Sequence, residues 1–153
     1  MAKQTSTGIL LGCVLGAPAT ENETGYDALT YVNLGELTNI PDFGATVQVV
    51  ESNPLATGIT EKFPGFVNFG SVGLEADLDD EDPGQGLATD AVAPDHASFG
   101  KIFSFELTYA SGAKRYWQAR FFSATEAPGS ANSMVTTKMN VEIVSKIVKV
   151  AAP

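Results

Sequence analysis

Ile102-Phe103-Ser104-Phe105-Glu106-Leu107-Thr108-Tyr109, then Ser111-Gly112, then Arg115-Tyr116-Trp117-Gln118-Ala119-Arg120-Phe121: this stretch decides the fold. Apolar residues recur at every second position, the period of a half-buried strand rather than of a helix. Phe103, Phe105, Leu107 and Tyr109 share one face of the first run, and Trp117, Ala119 and Phe121 share one face of the second. Ser111-Gly112 is the turn, so the two runs are predicted to form a hairpin. Core membership accounts for these aromatics without a ligand.

The same alternation extends outward in both directions. Thr137-Lys138-Met139-Asn140-Val141-Glu142-Ile143 reads as the last strand, and Thr46-Val47-Gln48-Val49-Val50-Glu51 is β-branched and alternating. Residues 31–37 read as a strand ended by Asn39 and Pro41. Between residues 66 and 78 the phase changes: Val67 and Phe69 are apolar at odd positions, Val72, Leu74, Ala76 and Leu78 at even ones, with Gly70 and Gly73 bracketing the switch. A one-residue slip of this kind predicts a bulge within a strand. Ser52-Asn53-Pro54-Leu55-Ala56-Thr57-Gly58 breaks pairing and forms a connection longer than a tight turn, the sort of segment that carries contacts. Residues 18–28 are polar and read as a loop. One short helix is predicted over residues 83–92, because Pro83 suits a first helical position and the acids before it suit the positive end of a helix dipole. The reading is an all-β chain with one short helix.

The chain has 153 residues with 44% hydrophobic composition, enough for one domain with a modest core. Its net charge of −9 is unevenly placed. Residues 1–98 hold 15 acids against Lys3 and Lys62 (−13), and residues 99–153 hold 3 acids against 7 bases (+4). Such a split suits subunits that meet through unlike ends. The acidic net charge disfavours tight nucleic-acid binding, which needs clustered Lys and Arg to neutralise phosphates. Cys13 is the sole cysteine, so an intramolecular disulfide is excluded, and its thiol reads as a small buried apolar group.

Near the N-terminus, Gly8-Ile9-Leu10-Leu11-Gly12-Cys13-Val14-Leu15 imitates a short secretory segment, and Leu10-Leu11-Gly12-Cys13 imitates a lipoprotein cleavage box. A single Lys followed by Gln4-Thr5-Ser6-Thr7 makes a weak basic region, so the segment is read as a retained N-terminal arm or first strand. The run is too short to cross a bilayer, and no membrane insertion is expected.

Catalytic chemistry is sparse. Asp77-Leu78-Asp79-Asp80-Glu81-Asp82 invites a calcium reading, but the sixth loop position is Asp82 where an EF-hand needs Gly, so a solvated acidic loop is expected. His96 is the only histidine and cannot build a His-rich metal site. Gly70-Ser71-Val72-Gly73 lacks the Lys and Ser/Thr of a phosphate loop. With 18 acids, any chosen carboxylate pair is weak evidence for glycoside hydrolysis. The expectation is a non-enzyme with no catalytic, metal or cofactor site.

Three features carry a resemblance to a known family. Tyr31-Val32-Asn33-Leu34-Gly35-Glu36-Leu37-Thr38-Asn39-Ile40 is similar to the opening strand and Gly-Glu-Val/Leu-Thr turn of the major tail tube proteins of long-tailed bacteriophages with non-contractile, siphovirus-like tails. Glu61-Lys62-Phe63-Pro64-Gly65-Phe66-Val67-Asn68-Phe69-Gly70 resembles that family's charged lead into an apolar-Pro-Gly-apolar stretch, and Gly73-Leu74-Glu75-Ala76 its continuation into an acidic loop and helix. The hairpin through Trp117 and the strand through Ile143 stand in the expected order.

The resemblance implies a single domain over residues 1–153, with arm and loop over 1–29 and a β core over 30–148. It implies a β-sandwich or barrel of the phage tail tube type, whose strands complete a shared barrel in a ring. Six copies would form each ring, and rings would stack into the virion tail tube, assembled in the bacterial host cytoplasm, through which DNA is ejected without specific binding. Its partners would be further copies of itself and other tail proteins, such as tape measure, terminator and distal tail proteins.

Two assignments follow from pattern within that reading. Ser52, Asn53, Pro54, Leu55, Ala56 and Thr57 are expected to form the contact between stacked rings. Glu75, Glu106 and Glu142, which alternate with core residues, are the candidate acids of the lumen. The alternatives are a related tail component of the same fold, a terminator or distal tail protein, and a secreted β-sandwich lipoprotein.

Overall fold

The structure, a computed structural model, describes residues 3–153. Met1 and Ala2, the start of the expected arm, lie outside the described residues. In chain order the elements are β1 (Leu10–Leu15), α1 (Glu23–Asp27), β2 (Val32–Asn33), β3 (Leu37–Asn39), β4 (Thr46–Ser52), β5 (Glu61–Asn68), β6 (Ser71–Asp77), α2 (Pro83–Ala91), β7 (Phe103–Thr108), β8 (Lys114–Ala127), β9 (Thr136–Ile143) and β10 (Val148–Val150). Eight strands form one curled, antiparallel sheet in the order β2-β1-β7-β8-β9-β6-β3, with β10 beside β8. The other two, β4 and β5, pair only with each other.

The central hairpin forms in the expected phase. Phe105 lies opposite Trp117 and Phe103 opposite Ala119. The Phe105 and Trp117 rings stack at 5.7 Å, Phe43 closes over Trp117 at 4.9 Å, and Phe103 meets Phe121 edge-on at 5.1 Å. In β9 the alternation also holds, with Thr137, Met139, Val141 and Ile143 buried. Strand β8 runs for 14 residues because it serves two partners in turn. Its first half pairs with β7 and β10, its second with β9, and the extra residue Phe122 marks a bulge where the sheet turns.

This bend divides the sheet by what covers it. All of its core-facing side chains, from Leu11 and Cys13 through Trp117 to Leu74 and Met139, join one cluster roofed by α2, Leu37, Ile40 and Phe43. Over the β1-β7-β8 half, the opposite face is covered as well. There Tyr26 of α1 stacks on Tyr116 at 5.1 Å, the Tyr116 hydroxyl donates to Asp27 Oδ1, and the Gln118 amide donates to Glu21 Oε1. Over the β8-β9-β6 half the opposite face is open and carries Glu75, Lys138 and Glu142, and Phe122 is exposed at the bulge.

Several sequence expectations are corrected. The N-terminal segment is β1, an interior strand between β2 and β7, so the β core begins with Leu11 rather than at residue 30. Cleavage before Cys13 would remove half of a strand that pairs on both sides, which weighs against the lipoprotein reading. Residues 31–37 are not one strand: Glu36 sits at φ 60, and the turn it makes separates β2 from β3. The phase change near Gly70 is not a bulge but a crossing between sheets, since β5 ends at Asn68 and β6 begins at Ser71. Gly70 takes φ 91, and a Cβ there would lie 2.6 Å from the Gly44 carbonyl oxygen. The polar 18–28 segment contains a helix, α1, capped by Asn22 accepting from Gly25 N–H, so the described residues hold two helices and not one.

Helix α2 starts at Pro83 as expected. Its cap, Asp82, accepts from Gln85 N–H and also from Gly35 N–H. Gln85 then donates to the Asp77 and Gly35 carbonyls and accepts from Asp79 N–H. One carboxylate and one amide thereby fasten the helix to the β2–β3 turn and the end of β6.

Candidate assembly surfaces

The β4–β5 hairpin stands away from the body with both faces in solvent. Every residue of β4 is exposed, and so is every residue of β5 except Gly65. The exposed side chains include Val47, Val49, Val50, Phe63, Val67 and Phe66, the last at 84%. Gly65-Phe66 contributes the extra residue of a bulge, since Val47 faces Val67 while Val49 faces Pro64. An isolated two-stranded ribbon is marginal in water, and one that displays this much apolar surface needs a covering partner.

The predicted contact residues sit at its far end. Ser52 closes β4, and Asn53, Pro54, Leu55, Ala56 and Thr57 form the tip. The tip is bonded to itself: Gly58 N–H donates to Pro54 O, Thr60 Oγ1 donates to Asn53 Oδ1, and Ile59 N–H donates to Thr57 Oγ1. Leu55 is fully exposed at its apex. Sequence reading picked out this tip but missed the apolar stem beneath it. The available signal was the run Phe63-Pro64-Gly65-Phe66-Val67, which lacks the polar alternation of a half-buried strand.

The second surface is the open face of the β8-β9-β6 half-sheet. Glu75 and Glu142 both lie on it. Glu75 meets Lys138 at 3.5 Å, and Glu142 stands opposite Arg120 and accepts from Asn140 Nδ2. Glu106 does not join them. It lies on β7 in the other half, 3.5 Å from Lys114 and beside Tyr31 and Tyr116. Burial first, then the charge of Glu106, pushes both phenols well above their ordinary range. The face bearing Glu75 and Glu142 is therefore mixed in charge.

The half-sheet also has two uncovered edges. Among the described residues, β8 past Ala119 pairs only with β9, and β6 meets β3 only at Glu75 and Ala76. Backbone donors and acceptors are thus left unpaired along residues 120–127 on one side and 71–74 on the other.

Asp90 of α2 and His96 and Ser98 of the loop after it, the residue types of a nucleophilic triad, come together. His96 Nε2 lies 3.6 Å from Asp90, and Nδ1 lies 2.7 Å from Ser98 Oγ while accepting Ser98 N–H. Ser98 is buried, so a carbonyl cannot reach its hydroxyl from solvent, and the contacts clasp the loop. Among the described residues no group of three or more His, Cys, Asp or Glu side chains is placed to hold a metal ion. Among the described residues no helix is long and apolar enough to cross a membrane.

No protein-family model and no curated protein sequence matches the chain. Solved structures do. A chain of the anti-feeding prophage baseplate is similar over 99% of this chain and 98% of its own, with a TM-score of 0.70 at 11% identity. A chain of the tail of an empty gene transfer agent particle, refined with C6 symmetry, covers 97% and 100% with a TM-score of 0.68 at 15% identity. The SPP1 tail tube protein covers 92% and 75%, with a TM-score of 0.63 at 15% identity. The fold is therefore of the phage tail tube type, an architecture found also in baseplate and terminating components of such tails.

Proposed function

We propose that this chain is a structural tail tube subunit, without enzymatic activity, of a long-tailed phage-like particle. The observation that carries the reading is the pair of open edges on one half-sheet. Residues 120–127 of one copy and 71–74 of the next can pair and continue the sheet from copy to copy, so that a closed ring loses its edges. Six copies per ring is the number implied by the sequence resemblance, as is a non-contractile tail. The β4–β5 hairpin, which is marginal in water without a covering partner, reaches from each ring to the adjacent one and makes the stacking contact. The tube so formed conducts DNA during ejection, with Glu75 and Glu142 on the face turned to the lumen. Its place is the virion tail, assembled in the host cytoplasm, where its partners are further copies and other tail proteins.

A second reading, a terminator that caps the tube, is favoured by likeness to an anti-feeding prophage tube terminating cap, with a TM-score of 0.62 at 14% identity. Sedimentation and negative-stain microscopy of the purified chain over a wide concentration range separate the two. Open-ended tubes of varied length support the tube subunit. Single rings that never stack support the terminator, and a monomer throughout refutes both.

A further inference from the structure

Two surfaces left over from these assemblies complement each other. At the start of β8, Arg115, Lys146 and Lys149 rim a cleft of about 880 Å³ at the foot of the hairpin, with Ile9, Phe69 and Ile147 along its wall. Arg115 is held in place, its guanidinium 5.2 Å above the Tyr109 ring and its Nη1 donating to the Lys114 and Val150 carbonyls. Asp42 is the acid among the lining residues. None of the three cations has an ion-pair partner among the described residues.

At the other end of β8 the signs reverse. Asp80, Glu81 and Glu126 are exposed and likewise have no ion-pair partner among the described residues. Beside them the β8–β9 turn displays Met134, 68% exposed, and Leu78 N–H bonds this turn to the acidic loop through Val135 O. The contour of a 14-residue strand is on the order of 40 Å, several screening lengths at physiological salt, so the two ends of one chain do not neutralise each other.

We propose that the cleft is a socket for the β8–β9 turn of a second copy. Met134 enters between Ile9, Phe69 and Ile147, and Asp80, Glu81 and Glu126 face Lys146, Lys149 and Arg115. The hairpin is a poorer occupant, because on its stem Glu51 stands opposite Lys62 and its tip is uncharged apart from Glu61. The contact joins unlike ends of identical chains, so it is heterologous; between stacked rings it repeats along an open filament and fixes the polarity with which copies stack. It rests on the tube reading for the identity of its occupant.

The test is a charge exchange in the full chain: Lys146→Glu with Lys149→Glu, Asp80→Lys with Glu81→Lys, and all four together. Mean tube length is read by microscopy and light scattering at low salt and at about 0.5 M NaCl, where the Debye length falls below about 5 Å. The wild type should form long tubes that shorten with salt. Each double swap should shorten tubes several-fold at low salt, and the fourfold swap should restore them. If a swap lowers the melting temperature, Lys146→Gln with Lys149→Gln takes its place and should also shorten the tubes. Unchanged tube length in the double swaps, or no recovery in the fourfold chain, overturns the proposal while leaving the tube reading intact. A wild type that stays monomeric overturns both.

Discussion

The Asp82 carboxylate accepts a hydrogen bond from Gly35 N–H at 3.1 Å, across 47 residues of chain. The same oxygen accepts from Gln85 N–H at 3.0 Å, so one side chain caps α2 and pins the β2–β3 turn. A Cβ on residue 35 would lie 2.7 Å from Asp82 Oδ1, which is why glycine is needed there. Asp82→Ala should cost about 2 kcal/mol, the sum of a helix cap and a lost charge-assisted bond. Urea unfolding checks this, and Gly35→Ala should lower stability in the same way.

Trp117 is fully buried between Phe105 and Phe43. Phe105→Ala should destabilise by about 3–5 kcal/mol, because the stacked ring leaves a cavity that paired strands cannot close. A drop in urea midpoint below about 1 kcal/mol equivalent would contradict this packing.

The hairpin stem predicts the opposite balance. Phe66→Ser and Val49→Ser remove apolar groups that the isolated chain leaves in water, so its stability should change by no more than about 0.5 kcal/mol. Assembly should fall sharply, as it should when residues 52–57 are replaced by a Gly-Ser linker. Normal tubes from these variants would place the stacking contact elsewhere.

High pH should unfold the protein. Burial, and secondarily the Asp82 charge, pushes the Cys13 thiol from 9.0 up to about 12, and Tyr31 and Tyr116 are raised as well. Groups whose folded values are raised add stability that is fully present below their unfolded values and is lost as pH climbs through the folded ones. Melting temperature should therefore hold to about pH 9 and then decline toward pH 12. Cys13→Ala should soften the first part of that decline, and the tyrosinate absorbance lost on replacing Tyr31 and Tyr116 by Phe should be the part that rises only with unfolding.

For the lumen, Glu75→Lys with Glu142→Lys should leave stability within about 1 kcal/mol, since the Glu75–Lys138 pair is exposed. Tubes should still assemble, and DNA passage should slow, most at low salt. Passage at the wild-type rate would remove these two acids from the lumen wall.

What the sequence alone determined was local. Period-two alternation placed Phe103, Phe105, Trp117, Met139 and Val141 on buried faces, and the Asp82-Pro83 pair marked the start of a helix, because pleat and cap chemistry act between near neighbours. It also exposed the split of charge along the chain. Only the tertiary structure decided what lies opposite each face. Glu75, Glu106 and Glu142 alternate alike, yet α1 covers the half-sheet that holds Glu106 and leaves the other two open. Val49 and Val72 are both β-branched strand residues. One stands in solvent and the other in the core, because the chain crosses from one sheet to another at Gly70. Alternation tells which residues share a face, whereas burial depends on segments distant in sequence arriving to cover it.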